Sequence, residues 1–191
     1  MEENEFYYYI DSNDLITEVS PNWATFADAN SWDHTYNPED IIGHPLWDFI
    51  EGIETQHLYM EIFKRVRSGA TCQPIPFRCD SPGEHRYLEL QPELLSDGRI
   101  KIKTRILKVQ TRKKVDLLER RVPRSSDLIR ICSVCKKIAT EEKGWLEIED
   151  GLALLKPFEA REMPGLTHGL CPLCTQEMRK AMNIPQQPNA D

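Results

Sequence analysis

Two pairs of cysteines in the last third of the sequence constrain its folding more than any other feature. Cys132 and Cys135 are separated by two residues, and so are Cys171 and Cys174. At this spacing a tight turn directs both thiols of a pair toward one tetrahedral metal ion. The 35 residues between the pairs exceed the roughly 15–20 of a small zinc ribbon. They must therefore fold into structure of their own and return the second pair to the first.

We predict a zinc-binding module over residues 131–182, with Zn²⁺ as its cofactor. Its metal ligands are Cys132, Cys135, Cys171 and Cys174. A site closed by four thiolates leaves no position for water, which favours a structural role over catalysis. His168 is an alternative ligand, but with four thiols available it is predicted to donate a hydrogen bond to sulfur. Lys136 and Thr175 stand where rubredoxin-like iron sites normally have glycine, which favours zinc over iron.

Two other interpretations of the thiols stay open. CxxC pairs can act as redox dithiols, because this spacing lowers the pKa of a thiol and promotes disulfide exchange. Four buried cysteines without any chemistry are the second alternative.

The length and composition of the chain allow one globular domain of ordinary size in addition to this module. The chain has 191 residues, of which 40% are hydrophobic, and a formal net charge of −7. No stretch approaches the roughly 20 apolar residues that cross a bilayer, and the acidic start, Met1–Glu5, does not resemble a signal peptide. We therefore expect a cytoplasmic protein without membrane contact, where paired thiols more often bind metals than form disulfides. The acidic balance disfavours broad nucleic-acid binding, although a nucleic-acid-binding zinc regulator remains an alternative.

Residues 6–110 have the pattern of one α+β unit. Two β-prone segments around the turn at residues 11–14 predict a hairpin. Helical patterns follow, the longest over residues 55–67, where apolar side chains recur every three or four positions. After Gly69 the period changes to two, and three strands are predicted between residues 74 and 106. This order predicts a five-stranded antiparallel sheet with short helices over one face.

Several strings in this unit resemble the PAS domain family. Residues 9–16, Tyr-Ile-Asp-Ser-Asn-Asp-Leu-Ile, resemble its opening hairpin, and residues 20–23, Ser-Pro-Asn-Trp, resemble the helix that follows. Residues 40–50, Asp-Ile-Ile-Gly-His-Pro-Leu-Trp-Asp-Phe-Ile, resemble the family's xxIIGxxLxDFI segment. The resemblance covers about residues 6–110 and implies a PAS-like sensory fold. Of the Asp-x-Thr motif that often ends the last PAS strand, only Thr111 is present.

The cysteine segment carries a second resemblance. Its CxxC, Gly144-Trp145 and His-Gly-x-Cys-Pro-x-Cys strings, over residues 131–178, resemble a module appended to PAS or receiver domains in bacterial signalling proteins. Between the two units, Val115, Leu118 and Val122 recur at helical spacing, which predicts a helical connector over residues 111–130. Residues 183–191 are predicted to be a disordered tail.

A cavity between the long helix and the strands is the expected ligand site of the first unit. The residues predicted to line it are Trp47, Phe49, His57, Leu58, Ile62, Phe77, Leu88 and Ile102. This set contains no nucleophile–base pair, so we predict no enzymatic activity. His57 falls near the axial histidine of haem-binding PAS domains, so a haem sensor remains an alternative.

The sequence thus predicts a non-enzymatic bacterial signal-transduction sensor or adaptor. The PAS-like domain would sense a small ligand or mediate dimerisation, and the zinc module would contact an unidentified signalling protein. Phe6, Tyr7 and Tyr8 exceed what one face of a strand can bury, which predicts a homodimer through the PAS domain. A haem or thiol redox sensor, through His57 or the CxxC pairs, is the rival function.

Overall fold

Five strands form the antiparallel sheet of the first unit. The computed structural model describes residues 4–24, 37–119, 122–155 and 163–183. The strands of this sheet are β1 (Glu5–Ile10), β2 (Ile16–Val19), β3 (Ile75–Arg78), β4 (Glu84–Leu94) and β5 (Ile100–Thr111). They lie in the order β2-β1-β5-β4-β3, and every neighbouring pair is antiparallel. The prediction of an α+β fold with a five-stranded antiparallel sheet is confirmed. We call the part of the chain from β1 to β5 the PAS-like unit, after the resemblance of its sequence.

The first hairpin is closed by an aspartate. The Asp11 carboxylate accepts hydrogen bonds from the backbone N–H groups of Asn13 and Leu15, at 2.8 and 2.9 Å. These bonds hold the chain in a turn between β1 and β2, as the Asp-rich sequence predicts.

The helices of this unit lie over one face of the sheet. They are α1 (Pro38–Ile41), a 3₁₀ turn at Leu46–Phe49 and α2 (Ile53–Arg67). Leu58, Ile62, Phe63 and Val66 are buried on α2 at the predicted spacing of three and four residues. They pack against Ile100 and Ile102 of β5. Each such side chain stabilises the fold by about 1.5–3 kcal/mol through removal of apolar surface from water.

A second, four-stranded sheet follows. It contains β6 (Arg124–Cys132), β7 (Ile138–Thr140), β8 (Gly144–Leu146) and β9 (Met163–Gly169), in the order β8-β7-β6-β9. The β6–β9 pair is parallel, and the other two pairs are antiparallel. Helix α3 (Ile148–Leu155) packs on this sheet, and α4 (Pro172–Ala181) follows β9. We call the part of the chain from β6 to α4 the cysteine module.

The helical connector predicted over residues 111–130 is wrong in the part of this range that the structure describes. Strand β5 continues to Thr111, a single 3₁₀ turn occupies Asp116–Leu118, and β6 begins at Arg124. Val115 and Leu117 are buried in the core of the cysteine module. The apolar stripe was too short to distinguish a helix from an extended chain laid on a sheet. Of the predicted tail, only Asn183 lies within the described residues.

The two units share one hydrophobic core. Val134, Met178 and Met182 of the module belong to the same buried cluster as Phe63 and Ile75 of the PAS-like unit. The backbone N–H of Arg78 donates to the carbonyl of Val134 at 2.7 Å, so β3 is joined directly to the segment that carries the first cysteine pair. The module is therefore built against the PAS-like sheet.

Candidate metal centre

The first cysteine pair lies in a tight turn at the end of β6. The N–H of Cys132 donates to the carbonyl of Lys137 at 2.8 Å, and the N–H of Lys136 donates to the carbonyl of Cys132 at 3.1 Å. Lys136 has a φ of 62°, a left-handed conformation that glycine adopts more easily than lysine. The turn thus has the backbone that rubredoxin-like knuckles obtain with glycine, although the sequence has lysine.

The second pair lies at the start of α4. Cys171 is the N-cap residue, Pro172 occupies the first turn, and the Cys171 sulfur accepts the N–H of Cys174 at 3.4 Å. Helix N-termini favour negative charge, because their first N–H groups have no partners within the helix. The first turn of α4 therefore directs a backbone N–H group at the Cys171 sulfur.

The parallel pairing of β6 with β9 brings the two pairs together. Cys132 is opposite Gly169 in the register, and the N–H of Ser133 donates to the carbonyl of Gly169 at 2.9 Å. The intervening residues form β7, β8, α3 and β9. This is the independent structure that the long spacing between the pairs predicts.

All four sulfur atoms converge on one point. The Sγ atoms of Cys132, Cys135, Cys171 and Cys174 lie within 4.8 Å of one another. The Sγ atoms of Cys135 and Cys171, which belong to different pairs, are 3.7 Å apart. Cys135 is half-buried and the other three cysteines are buried. This set of four side chains can hold one metal ion.

Hydrogen bonds among the thiols concentrate negative charge on one sulfur. Bonds from the Cys135 and Cys174 side chains lower the pKa of Cys132, and the N–H groups of Cys135 and Cys171 add to the effect. The same bond to Cys132 raises the pKa of Cys135 to about 12 and also raises the pKa of Cys174. A cation at the centre reverses this competition, because a coordinated thiol loses its proton.

His168 does not take the predicted place beside the sulfur atoms. Its Nδ1 is 2.6 Å from a carboxylate oxygen of Glu51, which precedes α2. The group of metal-ligating side chains found in the described residues contains only the four cysteines. The prediction of a hydrogen bond from His168 to sulfur failed because the sequence does not reveal that a distant carboxylate faces this histidine.

The first turn of α2 contacts both cysteine turns, which the sequence analysis missed. The Thr55 hydroxyl donates to the Ser133 hydroxyl at 2.9 Å, and Ser133 lies between Cys132 and Cys135. The Glu54 carboxylate accepts the N–H of Leu170, the residue before Cys171, at 3.1 Å. These contacts join positions 78 and 116 residues apart, so no local sequence pattern could predict them.

Arg130 joins the same carboxylate from β6. Its Nη2 donates to both oxygens of Glu54, at 2.6 and 2.7 Å. The hydrogen bond from Arg130 and the N–H of Leu170 hold the pKa of Glu54 below its usual range. Its carboxylate is therefore charged at neutral pH, and Arg130 provides the opposite charge.

A buried charge network forms a second bridge between the units and was also missed. The Asp80 carboxylate is fully buried and is paired with Arg78, with His85 at 3.0 Å and with Arg112 at 3.4 Å. Arg112 also reaches Glu149 of α3 at 3.0 Å. Asp80 and Arg112 lie on the PAS-like side and Glu149 on the module side, so the network contributes to holding α3 against the first unit.

The residues predicted to line a ligand cavity form part of the PAS-like core. Leu58, Ile62, Leu88 and Ile102 are buried. Trp47, Phe49 and Phe77 are half-buried and pack against that core. His57 is exposed on α2 and does not belong to this set, so its predicted place in the cavity is wrong. Its neighbour Leu58 takes the buried position, because adjacent residues on a helix point in different directions.

The aromatic residues of β1 are accommodated within the chain. The rings of Phe6 and Tyr8 contact Trp23 edge to face, with centroids 5.9 and 6.0 Å apart. Tyr7, on the other face of the strand, packs against the ring of Tyr9 and lies 4.2 Å from the Lys101 ammonium. Phe6 is buried and Tyr7 and Tyr8 are half-buried, and the homodimer stays a prediction.

Two solved structures have a weak likeness to part of this chain. No protein-family model matches the chain, and no curated protein matches it. A domain of an HTR-like protein from Haloarcula marismortui is 15% identical, with a TM-score of 0.36 over 55% of this chain and 98% of that one. A sensory box sensor histidine kinase from Vibrio cholerae is 10% identical, with a TM-score of 0.35 over 55% and 83% of the two chains. At these scores the matches carry no functional argument.

The helices of the described segments are all too short or too polar to cross a membrane.

Proposed function

We propose that this chain is a non-enzymatic signalling protein in which a PAS-like sensor unit acts through a zinc-binding module. The observation that carries this proposal is the convergence of four cysteine sulfur atoms at the contact between the two units. A structural zinc site at such a contact would fix the geometry through which one unit affects the other.

The geometry of the sulfur atoms supports zinc. A tetrahedral site with Zn–S bonds of about 2.3 Å has sulfur atoms about 3.8 Å apart. The separation of 3.7 Å between Cys135 and Cys171 is close to this value. Four thiolate ligands would complete the coordination of the ion, so it would stabilise the module and activate no water molecule.

Contact is the proposed route of the signal. Val134 and Met178 of the module are buried with Phe63 of α2. A small molecule that binds the PAS-like unit acts by favouring one arrangement of α2 and the sheet over another. Because the module packs on α2, it must respond to that rearrangement. A partner protein would then recognise the changed surface. We retain a homodimer as part of the proposal, to be tested by light scattering at high protein concentration.

Metal analysis of the purified full chain tests the proposal. We expect one zinc ion per chain by elemental analysis, and a Co²⁺-substituted protein with the absorption bands of a tetrahedral thiolate site. Cys132→Ser should lower the bound metal strongly, whereas Cys79→Ser, outside the cluster, should leave one ion bound. A reduced protein that takes up neither metal would refute the proposed function.

A thiol redox sensor is a second candidate, and one observation favours it. Cys135 is the half-buried member of the cluster, and its sulfur contacts that of Cys171. An oxidant such as a hydroperoxide would convert these two thiols into one disulfide, with loss of two hydrogen atoms and reduction of the peroxide to water and an alcohol. Mass spectrometry under non-reducing conditions, before and after peroxide treatment, distinguishes this reaction from stable metal binding.

A further inference from the structure

We propose that Glu54 and Thr55 of the PAS-like unit are positioning residues of the metal centre, so that metal binding and the position of α2 are coupled. This inference rests on the proposed zinc function and identifies the contacts by which it would be regulated. Neither residue is a metal ligand. Each instead holds the backbone next to one of the two cysteine pairs.

Thr55 acts on the first pair. Its side chain is 3% exposed, and its hydroxyl donates to the Ser133 hydroxyl at 2.9 Å. Ser133 directly follows Cys132, and its N–H is bonded to the carbonyl of Gly169 at 2.9 Å. Thr55 therefore anchors the point at which the first cysteine turn meets the end of β9.

Glu54 acts on the second pair. Its carboxylate accepts the N–H of Leu170, which directly precedes Cys171. Arg130 holds the same carboxylate from β6 and passes over Gly169, where an added Cβ would lie 2.4 Å from the Arg130 Nε. Glu54 thus links α2 to the residue before Cys171 and, through Arg130, to the strand that ends at Cys132.

The start of α2 lies against the backbone that delivers the second pair. A Cβ added at Gly52 would lie 2.9 Å from the carbonyl oxygen of His168 in β9. Gly52 also has a φ of +91°, which favours glycine. A movement of the first turn of α2 must therefore also alter its contact with β9 and the two hydrogen bonds described above.

These contacts create reciprocal coupling. A metal ion fixes the relative position of the two cysteine turns and thereby favours the position of α2 in which Glu54 and Thr55 both keep their partners. By thermodynamic linkage, a ligand whose binding displaces α2 would weaken metal binding by the same factor by which the metal weakens binding of that ligand. Metal occupancy would thus report the state of the PAS-like unit, and the metal would in turn stabilise one of its states.

Metal affinities of matched variants test the coupling. The reduced, metal-free full chain is titrated with Co²⁺ and with Zn²⁺ in the presence of a chromophoric chelator. Thr55→Val and Glu54→Ala should each lower the affinity about 10- to 100-fold, as for other residues that orient metal ligands. Thr55→Ser keeps the hydroxyl, and Ile53→Ala changes an 84% exposed side chain on the same turn. Both controls should retain the wild-type affinity.

A second control separates positioning from general loss of stability. Ile102→Val removes one methyl group from the shared core without altering any contact to the cysteine turns. It should lower the unfolding temperature of the metal-free chain but shift metal affinity less than Thr55→Val does. If Glu54→Ala does not fold, Glu54→Gln, which keeps the size of the side chain, takes its place.

Hydrogen exchange provides the reciprocal measurement. Zn²⁺ should slow exchange at the amides of the first turns of α2 in the wild type, and less so in Thr55→Val. If the wild type binds one ion and both variants bind it with unchanged affinity, the coupling is refuted and the proposed function stands. Wild-type chain that binds no metal would overturn both.

Discussion

Loss of the metal centre should destabilise the PAS-like sheet as well as the cysteine module. Replacement of Cys132 by serine removes one ligand and leaves three thiols around the position of the ion. Metal binding contributes on the order of 10 kcal/mol to the folding of small zinc modules, so we expect Cys132→Ser to release the module from its folded state. The consequence for the rest of the chain follows from the shared core.

The size of that consequence can be estimated from the contacts. Val134, Met178 and Met182 are buried in the same cluster as the core of α2 and β5. At about 1.5–3 kcal/mol for each side chain, their withdrawal costs roughly 5–9 kcal/mol, an upper estimate because the unfolded chain is partly collapsed. A typical domain has an unfolding free energy of about 5–15 kcal/mol. The loss is therefore comparable with the whole stability of the first unit.

Hydrogen exchange at the β5 amides of residues 100–106 measures this loss directly. A loss of about 5 kcal/mol corresponds to a decrease of more than about 1,000-fold in protection, since 1.4 kcal/mol is a factor of ten. Cys79→Ser, which alters a half-buried thiol outside the cluster, is the matched control. If the protection of the β5 amides in Cys132→Ser stays within tenfold of the wild-type value, the sheet is stable without the module. That result would refute the argument from the shared core.

Three further predictions concern the contacts between the units. Gly52→Ala should lower the free energy of unfolding in urea by about 1–3 kcal/mol through backbone strain. The loss should exceed that of Gly43→Ala, because Gly43 has a similar φ but nothing within 4 Å of an added Cβ. Equal losses would contradict the close approach of α2 to β9. Burial raises the pKa of Asp80, but the hydrogen bond and charge of Arg78, the hydrogen bond of His85 and the charge of Arg112 lower it below its ordinary 3.8. The carboxylate therefore contributes stability above about pH 4 that is lost as the pH falls through its folded-state pKa, and Asp80→Asn should reduce this pH dependence in unfolding experiments. Met178→Ala should cost about 2–5 kcal/mol, and a cost below 1 kcal/mol would mean that α4 does not contribute to the core as described.

The periodicity of apolar residues was enough to predict the first unit. Leu58 and Ile62 repeat at helical spacing on α2, and Ile100 and Ile102 alternate with Lys101 on β5. Both patterns arise because one face of each element must leave water. The convergence of the four cysteines could also be predicted, because the CxxC spacing is the one that lets two sulfur atoms meet at one point.

Sequence patterns failed where the outcome depends on a distant partner. His168 faces Glu51, and Phe6 and Tyr8 contact Trp23. Nothing near any of these residues in the sequence specifies its neighbour. The wrong helix over residues 111–130 has a different origin, because its short apolar stripe also fits an extended chain whose burial is decided by the sheet beside it. Tertiary contacts decided each of these outcomes.

The parallel pairing of β6 with β9 makes the metal centre a late event in folding. Parallel neighbours cannot be joined by a tight turn, so β9 docks on β6 only when the long connection between them has closed. During synthesis the first pair of thiols leaves the ribosome before the second, since chains emerge from their N-terminal end. Until β9 docks, Cys132 and Cys135 are an incomplete pair, open to oxidants and to other metal ions. If the cluster binds zinc, as proposed, the supply of zinc and of reductant during synthesis would affect the yield of folded protein.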